Sequence, residues 1–310
     1  MPKHPLLVSV TSQKAVIFSD EGQVSPLTES DLPSLRCRPF LKWAGGKQWL
    51  SRAASSLAPC DFSGRYFEPF LGGGAFFFSF LPERAVLGDA NHELIAAYSV
   101  VRDKVNAVID LLSRTEYSRE AYYSTRASSP DDVAAQAARL IYLNRTCWNG
   151  LYRVNRSGEF NVPFGRFPNP TICDENRLRA AGHALRCVDL RCGDFETSVS
   201  GATLYDFVYL DPPYITGHSD NGFLKYNAHL FSWADQCRMA RMAMRLRDRG
   251  VHVLASNADA PQVVSLYTGF YYYRAMRRSL IAGAVDSRGN AAEALLSTYP
   301  LMGCESEVIE

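Results

Sequence analysis

The chain has 310 residues and 47% hydrophobic content, enough to bury a sizeable core as one large domain with an insertion or as two domains. Its formal charge is only +1, so any footprint for a polyanion must be local. Eight scattered cysteines without a C-x-x-C pair argue for free intracellular thiols rather than a zinc or redox centre. No leader pattern and no apolar run approaching about 18 residues is present, so the chain reads as soluble and cytoplasmic, with no membrane and no metal required.

Residues 1–38 show no sustained period and read as an N-terminal extension. Order is expected from Phe40-Leu41-Lys42-Trp43-Ala44-Gly45-Gly46-Lys47 onward. Residues 65–70 read as a strand that runs into Leu71-Gly72-Gly73-Gly74, followed by the start of a helix at 76–81. A second strand at 85–87 leads to Asp89, and residues 93–109 have helical spacing. This β-loop-α-β order is of the nucleotide-binding kind. Gly72, Gly73 and Gly74 let the backbone turn tightly against a ligand, and Asp89 stands where an acid can accept both hydroxyls of a ribose. The loop lacks dinucleotide spacing and any Gly-Lys-Ser/Thr phosphate loop. A nucleoside carrying something other than phosphate fits better, and S-adenosylmethionine is such a nucleoside. Trp43 and Lys47 could close this site from the N-terminal segment, although Trp43 has an alternative reading as core packing.

From about residue 113 to 190 the alternation stops. The segment is first partly helical and then rich in Asn, Arg, Gly and Pro, as an inserted recognition domain would be. Between residues 144 and 166, Arg145, Arg153, Arg156 and Arg166 face the lone acid Glu159, giving a local charge of +3. Such a patch is a footprint for phosphates. Ser157-Gly158 separates two short extended runs, 151–156 and 159–164, which signals a hairpin. Alternation puts Leu151, Arg153 and Asn155 on one face. A two-stranded ribbon can enter a major groove, where Arg matches guanine and an apolar side chain meets the thymine methyl. Trp148, at the base of the hairpin, either fills the gap left by an extracted nucleotide or packs locally.

The α/β alternation resumes with a strand at 187–190 and then Cys192-Gly193-Asp194-Phe195, where Asp194 is either an acceptor for an adenine amine or a helix N-cap. The apolar run at 204–210 delivers Asp211-Pro212-Pro213-Tyr214 to a strand's carboxyl end, where open α/β sheets bind ligands. Asp211 and the Pro212 carbonyl can accept the two hydrogens of an exocyclic amine, and Tyr214 offers a stacking face. Pro213 stiffens the turn and donates no N–H. A helix at 233–249 and a strand at 251–255 complete the expected order.

These residues resemble the Dam-type DNA adenine-N6 methyltransferases, the α-ordered D12 class family, over residues 40–303. The resemblance is carried by Phe40 to Lys47, Glu68-Pro69-Phe70 with its glycines, Asp89, Leu143-Asn144-Arg145, Asn149-Gly150-Leu151 with Arg153, residues 158–165 and Asp211 to Tyr214. It implies a Rossmann-like methyltransferase core at 39–112 and 190–303, a target-recognition domain at 113–189 and a tail at 304–310. It further implies S-adenosylmethionine as donor and double-stranded DNA with a flipped adenine as substrate. By position it places Trp43, Lys47, Phe70, Asp89 and Asp211 near the cofactor, and Asp211 to Tyr214 at the base. The expected DNA-facing set is Lys42, Arg145, Trp148, Asn149, Leu151, Arg153, Asn155, Asn161, Pro163 and Arg166. Members that methylate GATC are read through the positions holding Lys42, Leu151, Arg153 and Pro163, and all four residue types are kept. Trp148 departs from the usual Tyr, residues 166–190 match poorly, and Ala282 to Arg288 is less basic than its counterparts. Rival readings are methylation of cytosine N4, RNA adenine or protein glutamine, or a non-catalytic DNA-binding protein. A paired restriction endonuclease is compatible with the family.

Overall fold

The computed structural model describes residues 37–43, 45–214, 231–278, 290–302 and 306–309. Most of the N-terminal extension, the 282–288 loop and residues 304, 305 and 310 of the tail lie outside the described residues. In chain order the elements are α1 (Gln48–Ser51), α2 (Ala54–Leu57), β1 (Tyr66–Glu68), α3 (Ala75–Phe80), β2 (Ala85–Asp89) and α4 (His92–Ser113). Then come α5 (Arg119–Ala127), α6 (Val133–Thr146), α7 (Glu175–Ala184), β3 (Val188–Cys192), α8 (Phe195–Ser198) and β4 (Phe207–Leu210). The chain continues through α9 (Trp233–Asp248), β5 (His252–Ala258), α10 (Pro261–Val264), β6 (Tyr271–Arg278), β7 (Asn290–Ser297) and β8 (Glu307–Val308).

The strands form one sheet in the order β3-β2-β1-β4-β5-β7-β6-β8. The first five are mutually parallel, and β7, β6 and β8 continue the sheet antiparallel. Residues of β1 and β4 are buried throughout, as expected for parallel strands covered on both faces. Successive side chains go to opposite layers: Tyr66, Phe207 and Tyr209 join the core with α3, α4 and α6, while Phe67, Val208 and Leu210 join the core with α9. This is the expected Rossmann-like architecture, with β1 and β4 adjacent at its centre.

Local chemistry sets the boundaries. Asn91 caps α4 by accepting from the Leu94 amide, so the helix starts one residue earlier than its apolar spacing suggests. Strand β4 starts later than the apolar run: Tyr205 is left-handed at φ 65°, and the Asp206 carboxylate accepts from the Arg65 and Thr203 amides. The expected hairpin exists as an irregular ribbon, held by isolated bridges at Val154–Phe160 and Cys147–Phe164 rather than a continuous ladder. Residues 113–189 share a hydrophobic cluster with the α3 and α4 side of the sheet, in which α6 and α7 pack on α4.

Candidate functional site

Asp211 emerges at the end of β4 beside β5. Its Oδ1 accepts from Ser256 Oγ at 2.9 Å and lies 3.1 Å from Lys47 Nζ. The Ser256 hydroxyl also pairs with that of Tyr209 at 3.1 Å. Oδ2 has no donor among the described residues. Burial pushes the Asp211 carboxyl above the usual range, and Lys47 and Ser256 pull it back. Lys47, itself buried, stands 4.0 Å from the centre of the Tyr214 ring. The Tyr214 hydroxyl donates to Glu293 Oε2 at 3.0 Å, and Lys47 Nζ is 3.5 Å from that same oxygen. Pro212 is buried, whereas Pro213 and Tyr214 are partly exposed.

Asp89 ends β2 at the glycine loop. Its Oδ2 accepts from the Gly72 amide and its Oδ1 from the Asn91 amide, both at 2.9 Å. Burial raises its carboxyl and those amides lower it. Each oxygen keeps a further lone pair, so these two acceptors fit the hydroxyls of a ribose. Gly72 is left-handed at φ 47°, and a Cβ there would come within 2.8 Å of the Trp43 ring. The glycine loop and Trp43 therefore pack at backbone contact, with Gly73 also against Trp43 and Gly74 against Tyr98. Trp43 stacks on Tyr152, rings 5.4 Å apart, which ties this loop to the inserted segment. Phe70 stacks on Phe195 at 5.3 Å, and Phe231 packs against both. Asp194 caps α8 through the Glu196 amide and takes both its oxygens to Arg238.

The inserted segment is held to this site by a buried amide. Asn144 Oδ1 accepts from the Lys42 amide at 2.7 Å, and Nδ2 donates to the carbonyls of Lys42 and Gly150 at 2.6 and 3.2 Å. Asn149 and Gly150 are both left-handed, and a Cβ on Gly150 would meet Lys42 Cβ at 2.6 Å, so glycine is required where the two segments cross. Lys42 Nζ sits 4.4 Å from the centre of the Phe167 ring. Leu151 packs against the core edge, with Trp148, Asn149, Arg153, Pro163 and Arg166 exposed around it. Arg153 donates from Nε to Asn161 Oδ1 at 2.7 Å.

Two residues of the expected DNA-facing set are engaged by neighbouring groups of the protein. Arg145 is 7% exposed and donates from Nε to the Thr171 carbonyl at 3.0 Å, so it braces the 167–171 turn. The Asn155 side chain closes the hairpin turn, accepting from the Ser157 and Glu159 amides and donating to the Glu159 carboxylate, and does not stand free beside Arg153.

The chain matches the model of the D12 class N6 adenine-specific DNA methyltransferases over residues 43–280. It belongs to that family. It is 37% identical over 275 residues to the Type II methyltransferase M1.LlaDCHI of Lactococcus lactis subsp. cremoris, spanning 86% of this chain and 96% of that one. Likeness to the Type II methyltransferase M.MjaIII of Methanocaldococcus jannaschii is 36% over 285 residues, covering 84% and 99%. The DNA adenine methylase of Escherichia coli K12 is 34% identical over 273 residues, covering 84% and 95%. The Dam-type resemblance and the Rossmann-like methyltransferase core are thereby established, and the chain is an enzyme that acts on adenine in DNA. No helix among the described residues is long and apolar enough to cross a membrane, and no cluster there of three or more His, Cys, Asp or Glu could hold a metal ion.

Within this methyltransferase the structure brings Lys47, Asp211 and Tyr214 into one polar cluster, and gathers Trp43, Gly72, Gly73 and Asp89 into a second. Sequence reasoning missed Tyr209, Ser256, Glu293, Phe195 and the organising role of Asn144. Phe195 stood next to Asp194, and its aromatic character was a usable signal. Ser256 and Glu293 carried none, because only sheet pairing brings them to Asp211.

Proposed function

We propose that the enzyme transfers the methyl group of S-adenosylmethionine to N6 of an adenine turned out of duplex DNA, within GATC. The observation that supports the chemistry is the Asp211 carboxylate, whose Oδ1 is saturated by Lys47 and Ser256 while Oδ2 is left to accept from an amine. S-adenosylmethionine, when bound, supplies a methyl group on a positively charged sulfur. Asp89 would hold its ribose, with Trp43, Lys47, Phe70 and Gly72 to Gly74 around it. Asp194 is a weaker cofactor contact, because Arg238 engages both its oxygens.

The N6 lone pair of adenine is delocalised into the ring and is a poor nucleophile. Asp211 and the Pro212 carbonyl accept the two N–H bonds and orient the lone pair, which supplies rate through positioning. They also stabilise the positive charge that develops on nitrogen. Extracting the base costs a few kcal/mol, and stacking on Tyr214 returns roughly 1–3 kcal/mol.

For target choice, Asn144 joins the Lys42 backbone to the base of the hairpin, so Lys42, Leu151, Arg153 and Pro163 form a set with a common anchor. We assign Arg153 to a guanine, Lys42 to the other end of the site, and Leu151 and Pro163 to apolar contact. Trp148, Asn149, Asn161 and Arg166 would flank these contacts. Transfer of labelled methyl to a GATC duplex, followed by single-molecule sequencing of DNA from a methylation-free cytoplasm expressing the chain, tests the whole reading. N6-methyladenine in GATC is expected; N4-methylcytosine or a different target would refute it.

A further inference from the structure

We infer that Glu293 is a positioning residue of the methyl-transfer site, fixing Tyr214 and Lys47 against Asp211. This rests on the reading that Asp211 and Tyr214 receive the target adenine. Glu293 is 2% exposed and lies on β7, opposite Ala258 of β5 and Ala275 of β6. Because β7 runs antiparallel to β5, its first half lies at the carboxyl edge of the parallel strands, the edge from which Asp211 emerges. At that edge Oε2 of Glu293 accepts from the Tyr214 hydroxyl at 3.0 Å and faces Lys47 Nζ at 3.5 Å. Lys47 in turn contacts Asp211 Oδ1 at 3.1 Å and the Tyr214 ring face at 4.0 Å. Side chains from three separate segments thus meet at one buried oxygen.

A carboxylate inside a sheet is costly unless paired, and the neighbouring Ala294, Leu295 and Leu296 show what the position would hold on packing grounds alone. Its geometry has two consequences for the reaction. A stacking platform works only when its plane is fixed, and the tether at the hydroxyl holds the Tyr214 ring. The Lys47 charge is also shared between two carboxylates instead of neutralising Asp211 alone.

The test compares the wild-type enzyme with Glu293→Gln, Tyr214→Phe and the double variant. It measures kcat and KM, and the fluorescence of a duplex carrying 2-aminopurine at the target adenine. Each single variant should lower kcat about tenfold or more, with kcat falling much further than KM rises. The double variant should fall well short of the product of the two losses, because both remove one hydrogen bond. Fluorescence of the extracted base should change in Glu293→Gln, reporting a loosened stack. Wild-type kcat and wild-type fluorescence in Glu293→Gln, or fully multiplicative losses, would overturn the inference. If Glu293→Gln fails to fold by thermal melting, Tyr214→Phe alone decides: it cuts the same tether and keeps both carboxylates, so wild-type kcat there overturns the inference. Failure of the wild-type enzyme to methylate adenine would instead remove the reading on which it rests.

Discussion

Asp211 and Arg153 carry the proposed chemistry and the proposed base readout, and the molecule holds them by opposite means. Asp211 is clamped by Lys47 and Ser256, behind strands whose residues are buried on both faces. Arg153 is exposed on a ribbon with isolated bridges, and its recorded partner is Asn161 on the other arm. The difference follows from the tasks. Methyl transfer gains rate only from groups already in place, whereas a base reader must exchange its resting partner for a base edge. What the ribbon needs is a fixed root, and Asn144 supplies it.

Breaking the clamped side should have the largest effect. Asp211→Ala removes the acceptor for the amine and should lower kcat by at least about a thousandfold, with DNA binding and fold retained, as checked by transfer assay and duplex titration. The same carboxylate sets a pH limit in the wild-type enzyme. Its pKa is raised, mainly by burial, and in the proposed mechanism the ionised form accepts from the amine, so kcat/KM should fall as pH drops through a value above the ordinary aspartate range. Asp89→Ala should come next. Losing charge-assisted hydrogen bonds worth roughly 1.5–3 kcal/mol each should raise the cofactor Kd at least about tenfold. Unchanged affinity by calorimetry would make Asp89 a turn residue of the glycine loop.

A smaller effect appears in stability. Glu68 is buried beneath the site, where it accepts from the Tyr66 hydroxyl and the Phe77 amide. Burial pushes its pKa to about 8 from an ordinary 4.5. Between those values the folded state holds a proton that the unfolded chain has released, so stability falls as pH rises and the penalty is complete above about pH 8. Asp89 and Asp211 shift in the same direction. Glu68→Gln should flatten the fall in melting temperature between pH 5 and 8.5, and a slope as steep as that of the wild type would assign the effect to the other two acids.

The same contrast explains what could be read without a structure. The parallel core was legible because buried strands leading to the glycine loop, to Asp89 and to Asp211 carry both period and chemistry. Strands β6 and β7 were not anticipated. Residues 290–297 are rich in Ala, Leu and Glu, which favour helix, and only pairing with β5 and β6 makes them a strand. Glu293 was therefore invisible, although it touches two residues that were foreseen. Arg145 shows a related limit: counting charge along a segment does not distinguish a freely exposed guanidinium from one that α6 holds against the 167–171 turn.

The readout side gives the smallest and most selective effects. If Arg153 pairs with a guanine, Arg153→Ala should cost about 1–3 kcal/mol of discrimination at one base pair and leave the rest of the site intact, measured by competition among duplexes substituted at each position. Arg166 is exposed and left-handed at φ 49°. As a phosphate contact, its replacement by alanine should weaken all duplexes alike and reduce the salt slope by about one. Arg145→Ala separates burial from charge. Because the residue is 7% exposed and its Nε is bonded to the Thr171 carbonyl, the variant should lose thermal stability and keep a wild-type salt slope. A reduced slope with an unchanged melting temperature would instead return Arg145 to the phosphate-binding face, in which case the 167–171 turn must open when DNA binds. Equal loss of affinity for every substituted duplex in Arg153→Ala would move that arginine from base to backbone, and the choice of GATC would then have to rest on Lys42 and Leu151.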